Sequence, residues 1–141
     1  ELVVRKSGKP VLVTPARYQE IESIGLAYDG SPPAHNALAL AASLSEKAAW
    51  PLTILCVTND EATADRLHQK IEAFLEDVPI DCETLTIQGK EDREILKFIQ
   101  EGSVEMMIMG AYGHNRLREL ILGSTTSFVI RKSPIPVLLT R

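Results

Sequence analysis

The sequence has too few cysteines for a disulfide framework. There are two, Cys56 and Cys82, both in strand-like stretches, and no secretory signal pattern opens the chain. They read as buried free thiols. Long hydrophobic runs are missing as well, and none approaches the ~20 residues that a membrane-crossing helix needs. Basic excess is absent: 15 Lys and Arg face 19 Asp and Glu, a formal net charge of −4. That balance argues against a nucleic-acid-binding face or an anionic membrane surface. No Cys/His cluster has metal-ligand spacing, and no Ser/His/Asp order marks a nucleophilic triad. The three histidines are scattered. His35 falls in a helix first turn, His68 at a polar helix position, and His114 in a loop with no paired acid, so none reads as a catalytic base. There is no Gly-Lys-Ser/Thr of a Walker loop and no Gly-x-Gly-x-x-Gly fingerprint.

What is present is an ordinary globular chain of 141 residues, 45% hydrophobic and 24% charged. That is enough for one domain with a real core. Residues 23–28 read as a first core strand. Asp29-Gly30-Ser31-Pro32-Pro33 then supplies turn and cap residues. The helix that follows, to about Ala48, places Ala34, Leu38, Ala41, Leu44 and Ala48 on one face. Residues 52–57 are a near-continuous apolar strand. Asn59-Asp60 caps a helix with Leu67, Ile71, Phe74, Leu75 and Val78 at a 3.6 period, and Pro79 stops it. Residues 80–87 alternate as a third strand nearer an edge. Residues 91–101 form a helix with acids in its first turn, ended by Gly102. A strand at 106–109, a glycine loop, a helix to Lys132 and a strand at 137–140 complete the chain. Alternating strand and helix periods predict an α/β fold: an open five-stranded parallel sheet with helices on both faces.

The informative stretch is 106–126. The buried strand Met106-Met107-Ile108-Met109 breaks at Gly110, a second glycine follows at Gly113, and Gly123-Ser124 opens the next helix. Glycine permits close approach of backbone to ligand, and a helix N-terminus suits a phosphate. Ser124 or a neighbouring threonine can cap that helix or donate a hydroxyl. Gly-x2-Gly-x9-Gly-Ser after a buried strand resembles the nucleotide-binding signature of the universal stress protein family. The likeness extends through the tail Ile130-Arg-Lys-Ser-Pro-Ile-Pro-Val-Leu-Leu-Thr140.

The resemblance implies a flavodoxin-like, Rossmann-like strand order 3-2-1-4-5, with the ends of the first and fourth strands together. It implies an ATP site, with Mg²⁺ possible through the nucleotide. Asp29 and its strand-end neighbour Ala27 would contact the nucleotide, and Val57 would meet adenine through its main chain. Met109, Gly110, Gly113, Gly123, Ser124 and Thr125 would hold ribose and phosphates. From the residues alone, Asp29 is equally a turn aspartate. Between the first two glycines stand Ala111 and Tyr112, where many ATP-binding members carry Ser or Thr then His or Arg. Arg116 and Arg118 can neutralise phosphates or pair with Glu119 on a solvated turn. A binding protein is expected, with at most slow ATP hydrolysis. The alternative is a non-nucleotide module of the same fold that works by dimerisation or partner docking.

Residues 3–14 and 129–140 match at an offset of 126, with identities at positions 3, 5, 6, 7, 10, 11, 12 and 14. This internal repeat predicts that 1–20 is the tail strand and linker of a preceding module, and 21–141 the main domain. The strand at 10–14 is expected to pair with 136–140, in the same chain or a swapped neighbour. The resemblance implies a cytoplasmic homodimer or pseudo-dimer built through the last strand.

Overall fold

The computed structural model describes residues 7–111 and 122–141. Its elements run β1 (Val11–Val13), β2 (Ile24–Ala27), α1 (Pro32–Ala48), β3 (Leu52–Val57), α2 (Glu61–Leu75), β4 (Cys82–Ile87), α3 (Glu91–Gln100), β5 (Met106–Gly110), α4 (Ser124–Lys132) and β6 (Val137–Thr140).

The five parallel strands are joined by a sixth, the N-terminal strand that the repeat predicts. The sheet has six strands in the order β1-β6-β5-β2-β3-β4. β2, β3, β4, β5 and β6 are parallel to their neighbours, and β1 is antiparallel to β6. The sixth strand has a simple cause. Without it β6 would present a row of unpaired backbone groups, and the residue 11–13 segment covers them. The pairing joins Val11 to Leu139, Leu12 to Leu138 and Val13 to Val137 within one chain.

Each strand serves two cores, which is why the strands read as apolar runs rather than alternations. Ile24, Leu26 and Tyr28 of the β2 region join Ala34, Leu38, Ala41, Leu67 and Ile71 under α1 and α2. Ala27, Met107 and Met109 face the other way, onto Ile95, Phe98, Ile99 and Val129 of α3 and α4. Edge strand β4 still feeds both cores, with Cys82 on one face and Leu85 and Ile87 on the other.

Helix ends follow local chemistry. Ser31 caps α1, its hydroxyl accepting from Ala34 N at 3.3 Å, with the prolines in the first turn. Two helical expectations shift. Ala48 is exposed, and Ser45 is the buried residue of that last turn, its hydroxyl donating to Trp50 O at 2.6 Å. Helix α2 ends at Leu75 rather than Val78, one turn before Pro79 forbids continuation.

Candidate functional site

The parallel strands deliver their carboxyl ends to one edge, and β2 is where the chain's progression across the sheet reverses. Register then sets which residues meet there. Ala27 lies beside Leu55 on one side and Met109 on the other. Two residues beyond that row stand Asp29 and Val57, and one beyond stands Gly110, which pairs with Thr140. Helix α4 is tied to the same spot. Gly123 N donates to Ala111 O at 3.4 Å, and the buried Thr126 hydroxyl donates to Gly110 O at 3.1 Å. The structure therefore gathers Ala27, Asp29, Val57, Met109, Gly110, Gly123, Ser124 and Thr125 at one edge. Gly113, Tyr112, His114, Arg116, Arg118 and Glu119 lie outside the described residues.

Several of these residues already have structural work. Asp29 accepts from Ser31 N at 2.9 Å through Oδ1, so it closes the turn that starts α1. Gly110 is where β5 passes the start of α1. A Cβ there would lie 2.9 Å from Ala34 N, Pro33 C and Pro33 Cβ. Gly30 has φ +76°, and a Cβ on it would also meet Leu67 Cδ2 at 2.8 Å. The thiol beside this turn is inert: burial first, and the Asp29 charge second, push Cys56 up to about 11. Burial likewise raises Tyr28, with Cys56 and Asp29 adding to it.

The helix ends differ in what neutralises them. Ser31 caps α1, and Asp60 caps α2 by accepting from Thr63 N at 2.9 Å. The end of α3 has no side-chain cap but carries Glu91, Asp92 and Glu94 in its first turn. The end of α4 has neither. Its N-cap is Gly123, without a side-chain bond, and its first turn holds no acid. Of the two expected roles for Ser124 or a neighbouring threonine, no hydroxyl caps the helix, Ser124 being the first helical residue, while Thr126 donates its hydroxyl to Gly110 O. The first intrahelical bond runs from Ser127 N to Gly123 O, so the N–H groups of 124–126 have no intrahelical acceptor and carry the positive end of the dipole.

Two neighbours were not legible from local pattern. Thr125 Oγ1 donates to Glu91 Oε2 at 3.3 Å, bringing a carboxylate from α3 to the α4 terminus. Asn59 clasps Gly89, accepting from its N–H at 2.9 Å and donating to its carbonyl at 3.4 Å, which ties the β3 and β4 loops. Only the shared sheet edge links these pairs. His35 packs edge-on against Phe74, with ring centroids 5.1 Å apart, and His68 Nε2 lies 2.7 Å from the Thr86 hydroxyl. Cys56 and Cys82 are free thiols, the second only partly buried. Among the described residues no group of three His, Cys, Asp or Glu is placed to hold a metal ion, and no helix is long and apolar enough to cross a membrane.

Residues 20–141 match the universal stress protein family. The chain belongs to that family. A universal stress protein of Synechocystis is 36% identical over 143 residues, spanning 100% of this chain and 50% of that protein. A solved universal stress protein from Archaeoglobus fulgidus is 28% identical with a TM-score of 0.78, covering 99% of this chain and 52% of its own. The chain thus spans about half the length of these two relatives. Two further members share the fold. One, solved in complex with cAMP, is 17% identical with a TM-score of 0.73 over 87% of this chain and 98% of its own. The other, from Archaeoglobus fulgidus and in complex with dAMP, is 20% identical with a TM-score of 0.68, over 84% and 97%.

Proposed function

We propose that this universal stress protein module binds an adenine nucleotide, ATP in the first instance, at the carboxyl edge between β2 and β5. The observation that carries the reading is the α4 N-terminus. It is the one described helix end with neither a side-chain cap nor an acid in its first turn, and it opens beside the end of β5. Phosphates would rest on the amides of Ser124 and Thr125, with Gly123 and Gly113 allowing close approach. Met109, Gly110, Ala27 and Asp29 would line the ribose, and the Val57 main chain would meet adenine. Mg²⁺ would enter with the phosphates, since no three-carboxylate cluster among the described residues offers it a cage. The cAMP and dAMP complexes of relatives favour an adenine ligand. The reading is of a cytoplasmic stress-response switch whose partners read nucleotide occupancy, with hydrolysis slow or absent. Its free thiols suit a reducing compartment.

Calorimetric titration of ATP, with and without Mg²⁺, tests it. Micromolar affinity that is lost in Gly113→Val, with unfolding unchanged, supports the site. No binding at millimolar ATP removes it, and leaves the non-nucleotide docking module of the same fold.

The β1–β6 ladder favours a second function beside the first. Residue 12 is the repeat equivalent of residue 138, and the two face each other at the ladder's centre. The ladder therefore has the register of a two-fold pair of identical strands. In this reading residues 1–20 carry the last strand and linker of a first module, and β1–β6 is part of a pseudo-dimer or homodimer interface. A Leu12→Cys, Leu138→Cys chain separates the arrangements under oxidation: a bond within one chain reports pairing in cis, and a covalent dimer reports an exchanged strand.

A further inference from the structure

At the opposite edge of the sheet, a groove of about 510 Å³ opens between the segment entering β2 and the start of β3. Its lining is Tyr18, Gln19, Glu20, Ile21, Glu22 and Trp50. It is a shallow groove open to solvent, suited to a single side chain rather than an enclosed small molecule. The inner wall is fixed. Ile21 and Trp50 pack on the α1–α2 core, and the Trp50 carbonyl is held by Ser45. The entering segment is clamped too, because the Glu105 carboxylate accepts from both the Glu22 and Ser23 N–H groups. The outer wall is Tyr18, which is 85% exposed. Glu20 and Glu22 are exposed and form no ion pair among the described residues. The nearest basic side chains in sequence, Arg17 and Lys47, pair with neither.

A lining that includes Tyr18, Trp50, Glu20 and Glu22, with neither carboxylate in an ion pair among the described residues, suits a cationic ligand and favours one cation. A guanidinium is planar and weakly hydrated, so it stacks on Trp and Tyr faces while its fork of donors meets carboxylates. An ammonium keeps its water and gains less from the rings. We propose that this groove docks an exposed arginine side chain of a partner protein. It lies away from the nucleotide edge, so it stands or falls without that reading.

Trp50 is the chain's single tryptophan, so its fluorescence reports on the groove alone. The test titrates the whole chain with an acetylated, amidated Gly-Arg-Gly peptide and with its citrulline and lysine counterparts. Citrulline keeps the shape of arginine and removes its charge. The arginine peptide is expected to give a saturable change, with the citrulline peptide about tenfold weaker or more and the lysine peptide between them. The Glu20→Gln, Glu22→Gln pair should weaken arginine binding about tenfold and make it insensitive to salt. Tyr18→Ala removes an exposed ring at no cost to the core and should weaken it severalfold. An arginine peptide that produces no saturable change overturns the proposal. So does a citrulline peptide that binds as well, or a lysine peptide that matches arginine.

Discussion

Gly110 tests the packing logic of the carboxyl edge of the sheet directly. In Gly110→Ala the new methyl would sit 2.9 Å from Ala34 N, Pro33 C and Pro33 Cβ. Two of those atoms are backbone, and the third belongs to a proline ring, so none can rotate aside. Either β5 or the start of α1 must move. Overpacking of this kind costs about 1–3 kcal/mol, and immovable neighbours place Gly110 in the upper half, at about 2–3 kcal/mol. For a chain of this length each kcal/mol lowers Tm by roughly 3–4 °C, so a fall of about 6–12 °C is expected. Two controls isolate the cause. Gly102 has φ +77° and nothing within 4 Å of its Cβ position, so Gly102→Ala should cost only the left-handed strain of about 1–2 kcal/mol. At Gly25 the nearest atoms, Met107 Sδ at 2.8 Å and Val104 Cγ2 at 3.1 Å, belong to side chains that can repack rather than to backbone, so Gly25→Ala should cost less than Gly110→Ala. Thermal melts and urea titrations with matched m-values read all three. A Gly110→Ala protein that melts within about 2 °C of the parent would refute the steric argument, and would return Gly110 to a role in ligand approach alone.

Two further predictions follow from buried groups beside it. Thr126→Val keeps the side-chain shape but strips the donor from the bond to Gly110 O, and should destabilise by about 1–2 kcal/mol in urea unfolding; an unchanged midpoint would show that water replaces the hydroxyl. The Cys56 thiol, raised from 9.0 to about 11 by burial and Asp29, makes stability fall in alkali. Its contribution is complete below pH 9, where both states hold the proton, and is lost as pH rises from 9 to 11, where the unfolded chain ionises first. Cys56→Ala should remove up to about 2–3 kcal/mol of that alkaline loss. Parallel pH curves for parent and variant would contradict it.

The layer architecture was legible because each central strand serves two cores. Ile24, Leu26, Ile54 and Ile108 face one set of helices while Ala27, Leu55 and Met107 face the other, and such a strand shows in sequence as an unbroken apolar run. The β1–β6 pairing was legible for a different reason: the chain writes the strand twice, and a strand that suits one side of a two-fold ladder suits the other. What stayed hidden depends on atoms distant in sequence. Nothing local distinguishes Thr126 from Thr125, yet one donates into the core edge and the other to Glu91. Helical periodicity assigned Ala48 to the buried face, but the contact that fixes that turn is the Ser45 hydroxyl reaching past the helix end to Trp50. The Asn59–Gly89 clasp joins two loops that only the strand order makes neighbours.

The same edge shows why a family signature and a ligand site are separable. Gly110 is required by the approach of α1, Asp29 by the turn into that helix, and Thr126 by the carbonyl of Gly110. These residues would be kept by a member of the fold that never met a nucleotide, because replacing any of them disturbs the join between β5, α1 and α4. Their presence therefore speaks for the scaffold. The amides of Ser124 and Thr125 are different. Among the described residues no backbone or side-chain acceptor is bonded to them, the helix dipole favours negative charge there, and the glycine cap adds no acceptor of its own. A glycine cap in place of serine or aspartate lowers the intrinsic stability of α4 by only about a few tenths of a kcal/mol. A ligand that supplies the missing acceptor returns that stability only when bound. ATP should accordingly raise the melting temperature of the parent, and a Gly123→Asp variant, which brings its own carboxylate to the helix end, should be stabilised without nucleotide and lose most of the response to it. A variant that gained no stability and still responded fully to ATP would place the phosphates elsewhere on the edge.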